Sequence, residues 1–349
     1  MVTIKDIARH VGVSPSVVSR ALNNKYGVKE STRQMIVQTA KEMGYHPNAA
    51  ARTLVTRRTM TIGVIMADIS EPFYSGIIKG LEFVASESGY TLLFSNSYES
   101  LEQSRVVQRM IDAQRVDGMI IVGSNVKEKA YISSLVDKGT PFVVIERSYR
   151  DPRMNCIWVD NVMGGYIATK HLIDCGHTRI AHITGTLDVE VAADRLKGYR
   201  KALDEAGIAF SPNLVVQGTF VWQTGYSAMK TLLETRPLCT AVFVANDSMA
   251  FGALQAIAEA GLSVPHDISV VGFDDLQFSS LTNPPLTTVR QPRYEMGRDA
   301  ARLLVSRLNH PEQGDGTKIC HPPELIVRKS TTVCRDSDQP EAIVTQQRQ

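Results

Sequence analysis

Cysteine is scarce in this 349-residue chain: Cys156, Cys175, Cys239, Cys320 and Cys334, with no Cys-x-x-Cys among them. An odd number cannot all pair internally, and the spacing fits neither a zinc site nor a disulfide framework, so reduced thiols in a cytoplasm are expected. No apolar run reaches the length needed to cross a bilayer. The opening residues, Met1 to Asp6, lack the basic segment and apolar stretch of a secretory signal. A Gly-rich phosphate loop, a nucleophile elbow and a metal-ligand cluster are all missing. The usual marks of an enzyme are therefore absent, and no catalytic residue, metal or cofactor is expected.

Net charge is also small, at +2, but it is unevenly spread. Residues 1–60 hold 10 Lys/Arg against 3 Asp/Glu, and the rest hold 28 against 33. A basic head on a mildly acidic body suggests that only the head meets a polyanion. The length exceeds one ordinary hydrophobic core, so two or more domains are expected.

The head carries a helix-turn-helix pattern. Thr3 and Asp6 resemble a capping box. Ile4, Ile7, Ala8 and Val11 follow on one helical face, and Gly12 is a helix stop. Ser14 suits the cap of a second helix and Pro15 its first position. Val18, Ala21 and Leu22 give that helix an inner face, which leaves Ser16, Val17, Ser19, Arg20 and Asn23 outward. In a helix-turn-helix the second helix enters the major groove, where Arg20 suits guanine O6/N7 and Ser16 and Asn23 suit bases or phosphates. A third helix is expected from Ser31, as cap, to Gly44, with Gln34 in the capping-box position and Met35, Ile36, Ala40 and Met43 as apolar contacts.

These segments are specific in combination. Val2-Thr3-Ile4-Lys5-Asp6-Ile7-Ala8, Gly12-Val13-Ser14, Val17-Val18-Ser19-Arg20-Ala21-Leu22-Asn23 and Gly44-Tyr45-His46-Pro47-Asn48-Ala49-Ala50-Ala51-Arg52 resemble the head of the lactose-repressor/purine-repressor family of bacterial transcriptional regulators. The resemblance implies DNA contacts from Thr3, Ser14, Arg33 and Tyr45 as well. It also implies a hinge helix over Asn48–Leu54 that enters the minor groove, using Asn48, Ala51, Arg52 and the wedge Leu54. Such a short helix is marginal alone, and an apolar wedge kinks DNA at the cost of unstacking. Residues 1–47 then form the head and 48–60 the hinge and linker.

From residue 61 short β-rich runs alternate with amphipathic helices. The runs are Thr61–Ala67, Tyr90–Ser95, Gly118–Val122, Phe142–Ile145, Ile157–Val159, Ile180–Thr184, Leu214–Val216, Ala241–Ala245 and Ile268–Phe273. Intervening helices end at glycines such as Gly89, Gly139, Gly176, Gly207 and Gly261. Buried strands alternating with helices argue for parallel sheets covered on both faces. There are too many for one sheet, so two lobes are expected. The family resemblance implies a type I periplasmic-binding-protein-like α/β core, 61–336, of two doubly wound lobes. Lobe one is about 61–160 plus 292–320, and lobe two about 162–289 plus 323–333. Residues 337–349 are polar, lack apolar heptads and read as a disordered tail without a tetramerising role.

Ligands of open α/β sheets bind beyond the carboxyl ends of the strands. That rule selects Asp68, Glu71, Phe73, Tyr74, Glu146, Arg147, Arg195, Asn246, Asp247, Asp274 and Asp275. Carboxylates and a guanidinium suit hydroxyls, and aromatic faces suit a sugar or nucleobase ring. The resemblance assigns effector contacts to Arg195, Asn246 and Asp274, with Phe73, Tyr74, Glu146, Trp222 and Gln291 lining the pocket. Asn246 and Asp247 also read as caps of the next helix, Asp275 as a cap or a structural hydrogen-bonder, Phe73 or Tyr74 as lobe packing, Arg147 as a surface cation, and His171, His177 and His182 as structural or exposed.

The expected protein is thus a DNA-binding regulator, a homodimer on a palindromic operator, tuned by a small-molecule effector with no membrane role. A sugar or sugar derivative is the favoured effector. A purine or nucleoside, or a phosphorylated carrier protein, is the alternative within that class. A cytoplasmic sugar-binding protein or sugar-acting enzyme is the alternative outside it.

Overall fold

The capping box forms as the sequence predicts. In the computed structural model, Asp6 N donates to Thr3 Oγ1 at 3.4 Å and Thr3 N to Asp6 Oδ2 at 3.0 Å, which opens α1 (Ile4–Val11). The structure describes residues 2–45, 58–97, 109–110, 115–123, 128–311 and 314–334. The hinge residues Asn48, Ala51, Arg52 and Leu54 and the tail 337–349 lie outside the described residues. The chain divides into two units, Met1–Thr59 and Met60–Gln349.

In the first unit Gly12 ends α1 in the left-handed conformation (φ 73°), which costs glycine little. Ser14 starts α2 (Pro15–Leu22) with extended backbone, but its hydroxyl bonds the Ser16 hydroxyl at 2.8 Å and not the helix backbone. The third helix departs from expectation. α3 (Glu30–Glu42) begins after Lys29, so Ser31 lies within the first turn and Gln34 reaches Glu30 at 3.4 Å. Glu30 extends the first turn favourably near the positive end of the dipole. Ile7, Ala8, Val18, Ala21, Ile36 and Ala40 form the core of the three helices, while Met35 is exposed.

The second unit has two six-stranded sheets. The first contains β1 (Thr61–Met66), β2 (Thr91–Asn96), β3 (Gly118–Val122), β4 (Phe142–Ile145), β5 (Asn155–Val159) and β11 (Lys318–His321). Their order is β11-β5-β4-β3-β1-β2, all parallel. The second contains β6 (Ile180–Thr184), β7 (Val215–Gln217), β8 (Ala241–Val244), β9 (Ser269–Asp274), β10 (Thr287–Arg290) and β12 (Glu324–Ile326). Their order is β12-β10-β9-β8-β6-β7, with only β12 antiparallel. β3, β4, β6, β8 and β9 are buried throughout, as central parallel strands between helices must be.

The helices are α4 (Tyr74–Glu87), α5 (Lys129–Asp137), α6 (Asn161–Asp174), α7 (Glu190–Glu205), α8 (Trp222–Glu234), α9 (Asp247–Glu259) and α10 (Arg293–Asn309). Gly89, Gly139, Gly176, Gly207 and Gly261 all adopt positive φ at helix ends. Three strands are not marked by apolar runs: β10, β11 and β12, which read Thr-Thr-Val-Arg, Lys-Ile-Cys-His and Glu-Leu-Ile. Leu214 belongs to a 3-10 turn, Pro212–Leu214, so its strand starts one residue later than the run suggests.

Each lobe packs apolar side chains on both sheet faces. α4 and α10 cover one face of the first sheet, where Ile77, Leu81, Ala300 and Leu304 join the core. The helices cross on glycine. In α6 and α7 a Cβ on Gly165 would lie 2.2 Å from Arg195 O, and one on Gly198 would lie 2.1 Å from Val162 O. The backbones of these helices touch directly, which no larger residue permits.

Candidate functional site

The carboxyl ends of the strands of both lobes open on one cavity of about 330 Å³, a size that suits a small molecule. Seven of the eight expected effector residues line it: Phe73, Tyr74, Glu146, Arg195, Asn246, Asp274 and Gln291. Trp222 does not. It is half exposed at the start of α8, and the aromatic lining from that loop is Phe220. A Cβ at Gly185 would fall 2.0 Å from the Phe220 ring, so glycine there is what admits the ring.

Backbone strain concentrates here. Six non-glycine residues among those described have positive φ, and Glu146 (75°), Phe220 (69°), Asp274 (116°) and Asp275 (52°) are four of them. Such conformations cost of order 1–3 kcal/mol each and cluster at functional sites. At Glu146 and Asp274 the turn comes as a strand ends, and both residues line the cavity.

Arg195 is buried and fixed on three sides. Its Nε donates to Asn161 Oδ1 at 2.9 Å and its Nη1 to Ala245 O at 2.5 Å, while the guanidinium lies 3.7 Å from the centre of the Phe273 ring. Asn161 is held in turn by donating to Val159 O at 3.0 Å. Asp274 accepts from Gln291 Nε2 at 2.7 Å. The result is a preset fork beside a carboxylate and an amide, the donor and acceptor mixture that hydroxyl groups require.

Both Asn246 and Asp247 suit a helix cap, and they are used differently. The cap of α9 is Asn246, whose Oδ1 accepts from Met249 N at 3.0 Å while its Nδ2 donates to Phe220 O at 2.8 Å. Its extended backbone suits a cap. Asp247 is instead fully buried and accepts from Leu276 N (2.9 Å), Ser279 Oγ (2.5 Å) and Thr288 Oγ1 (2.6 Å). Gly272 makes the room, since a Cβ there would lie 2.2 Å from Asp247 Oδ1. Arg147 is likewise no surface cation. It is buried, pairs with Glu190 across the two lobes at 2.7 Å and lies over the Tyr149 ring at 5.0 Å. Asp275 accepts from Arg290 at 2.8 Å and from Arg328, a structural tie. Asn161, Phe220 and Glu190 were not singled out from sequence. A polar residue at the lobe crossover was the one available signal, for Asn161.

Burial dominates the electrostatics. It pushes the Glu146 carboxyl up to about 7, against the pull of Arg195. It also raises Asp274, against the pull of Arg195 and Arg293. Tyr74 is raised well above its ordinary value by burial and by the carboxylates of Glu146, Glu71, Asp274 and Asp68. The histidines serve the fold: His182 Nδ1 meets Phe243 O at 2.8 Å, and burial lowers it to about 4. His177 meets Thr240 Oγ1 at 3.0 Å and Ser269 Oγ at 3.1 Å, and His171 meets Thr331 Oγ1 at 2.9 Å. Among the described residues no group of His, Cys, Asp and Glu is placed to hold a metal ion, and no helix is long and apolar enough to cross a membrane.

On the head, α2 exposes Ser16 and Arg20 and its C-cap Asn23 is exposed as well, while Val17 and Ser19 are half-buried and Val17 packs on the core. Asn23 Nδ2 donates back to Ser19 O at 2.7 Å. Thr3 and Ser14 are exposed, and Tyr45 is half-buried against the core. Arg33 is differently used. Its two terminal nitrogens donate to Ala21 O (2.9 Å) and Lys25 O (2.8 Å), which ties the end of α2 to α3.

Residues 3–48 match the bacterial regulatory proteins of the lacI family, and residues 169–331 match a periplasmic binding protein-like domain. The HTH-type transcriptional repressor PurR of Haemophilus influenzae (strain PittEE) is 37% identical over 336 residues, 95% of this chain and 98% of that protein. This chain belongs to the lacI family. Catabolite control protein A of Priestia megaterium is 35% identical over 331 residues, 95% of this chain and 99% of that one. Among solved structures, the lac repressor dimer bound to operator and the anti-inducer ONPF superposes with a TM-score of 0.85 at 30% identity, covering 95% of this chain and 99% of that one. The transcriptional regulator CelR–cellobiose complex gives 0.73 at 34%, covering 95% and 100%. This lacI-family member is therefore a DNA-binding transcriptional regulator with a helix-turn-helix head and a two-lobed α/β core.

Proposed function

We propose that this regulator is a repressor that binds a palindromic operator as a homodimer and takes a sugar or sugar derivative as effector in the interlobe cavity. The fixed Arg195 fork beside Asp274, Gln291 and Asn246 carries the reading, with walls from both lobes. A ligand there touches both lobes at once, so its affinity depends on their closure. Ligand binding and operator affinity are then linked through the closed and open states of the core. Two relatives support the class: cellobiose occupies the CelR complex, and the regulator from Enterococcus faecium was solved with bound ribose. On the head, Ser16, Arg20 and Asn23 are assigned to the operator, with Thr3, Ser14, Val17, Ser19 and Tyr45 around them.

The test is a thermal-shift screen of the full chain with sugars, polyols, purines and nucleosides, followed by operator binding with the best compound. A ligand in hundredfold excess over its Kd stabilises the native state by about 2.7 kcal/mol. A saturable sugar shift that vanishes in Asp274→Ala, with a matching change in operator affinity, is the expected result. A shift with purines alone overturns the sugar assignment, and an operator affinity that no bound ligand changes overturns the coupling.

A further inference from the structure

Two consecutive residues at the end of β9 hold left-handed backbone: Asp274 (φ 116°), which lines the cavity, and Asp275 (φ 52°). Such a turn persists where its surroundings over-determine it. Three arginines do so at Asp275. Arg290 Nε donates to its Oδ2 at 2.8 Å and Arg328 Nη2 to its Oδ1, both from lobe two. Arg293 comes from the other lobe. It opens α10, which covers the first sheet, and its Nη2 donates to the Asp275 carbonyl at 2.9 Å.

The same guanidinium reaches lobe one. Its Nη1 donates to Phe73 O at 3.4 Å, and Phe73 lines the cavity. Gly76, one turn further along, makes the room: a Cβ there would lie 2.9 Å from Arg293 Cβ. The backbone joins in, since Arg293 N donates to Gln291 O at 2.8 Å and Gln291 Nε2 in turn donates to Asp274 Oδ1 at 2.7 Å. Arg293 is not among the described residues that line the cavity, so it acts on the walls and not on a ligand. Burial raises the Asp274 carboxyl, and Arg195 and then Arg293 oppose that rise.

We infer that Arg293 is a positioning residue for the effector site: it ties the strained Asp274–Asp275 turn of lobe two to Phe73 of lobe one and so fixes both walls of the cavity together. The inference rests on the interlobe cavity being the effector site. The two bonds come from two nitrogens in one rigid plane, a spacing that a single ammonium does not reproduce. The Phe73 bond is the longer, so it is the one that opening of the lobes breaks first.

Hydrogen exchange of the ligand-free full chain tests the tie. Reporter amides lie on both sides: Tyr74 N, which donates to Glu71 O at 3.1 Å, and Leu276 N, which donates to Asp247 Oδ2 at 2.9 Å. In Arg293→Ala both are expected to exchange about tenfold faster, with the far end of α9, read at Ala260, unchanged. Arg293→Lys keeps the charge and is expected to restore neither amide. Gly76→Ala keeps the arginine and crowds its base. Alanine is the better helix former, so this variant is expected to speed both amides without lowering the melting temperature, and it carries the test where Arg293→Ala fails to fold. Faster exchange on one side alone, on neither, or full rescue by lysine overturns the tie. No ligand enters the measurement, so a ligand found to bind elsewhere overturns the effector-site reading and leaves the tie standing. Both amides faster at unchanged operator affinity keeps the tie and overturns the link between lobe closure and DNA.

Discussion

Gly165 lies directly against the backbone of Arg195: a Cβ on the glycine would sit 2.2 Å from the arginine carbonyl oxygen. This contact in the middle of two crossing helices sets where the guanidinium enters the cavity. Gly165→Ala is expected to push α7 off α6. The cost should be about 1–3 kcal/mol, as for other overpacked cores, and each kcal/mol lowers the melting temperature by roughly 2–4 °C. Calorimetry reads the stability and ligand titration reads the displaced fork. An alanine variant that melts and binds as wild type does would show that the contact relaxes without moving Arg195.

Arg195 itself is not replaceable by lysine. One guanidinium meets Asn161 Oδ1, Ala245 O and the face of Phe273 together, and a single ammonium lacks the flat fork that does this. Each buried acceptor left unmet costs about 1–3 kcal/mol. Arg195→Lys is expected to lose at least about tenfold in effector affinity, while operator binding in the absence of ligand persists and ceases to respond. Fluorescence anisotropy on labelled operator, with and without ligand, checks both parts. An undiminished ligand response in the lysine variant contradicts the assignment.

The raised carboxyl of Glu146 makes a pH prediction. Its folded value, about 7, exceeds its ordinary 4.5. The folded chain therefore holds a proton that the unfolded chain releases. The corresponding stability is complete below the ordinary carboxylate range and is lost as pH rises through about 7. The ligand-free core is expected to melt lower at about pH 8 than at about pH 5, and Glu146→Gln to flatten that fall by keeping the site neutral throughout. Melting curves across this range decide it. A variant with the same pH slope as wild type would place the titration elsewhere.

Much of this was legible from residues alone. Glycines after amphipathic runs mark helix ends because only they take positive φ cheaply, and the apolar runs mark central strands because both faces are buried. Strand ends led to most of the cavity lining. Three features resisted. The helix-interior glycines Gly165 and Gly198 look like poor helix formers until the partner backbone is seen. Asn246 and Asp247 are both good caps, and only the pocket under Gly272 shows which one turns inward. Trp222 reads as a pocket-lining residue, yet the positive φ at Phe220 and the missing side chain at Gly185 turn the Phe220 ring inward in its place.

Arg20 and Arg33 of the head should separate in their effects on DNA. Arg20 is exposed on α2, where its Nε makes only a 3.4 Å contact to Ser16 O, so the side chain is available to a base edge. Arg20→Ala is expected to cost about 1–3 kcal/mol on the operator with a far smaller effect on random DNA. Arg33 instead closes the end of α2 through Ala21 O and Lys25 O. Arg33→Ala should weaken operator and random DNA alike and speed amide exchange across α2 and α3. Lysine at that position should not restore it, since one ammonium cannot bridge both carbonyls. Competitive operator binding paired with hydrogen exchange distinguishes the roles. Selective loss on the operator with unchanged exchange in Arg33→Ala would make Arg33 a direct reader of the DNA.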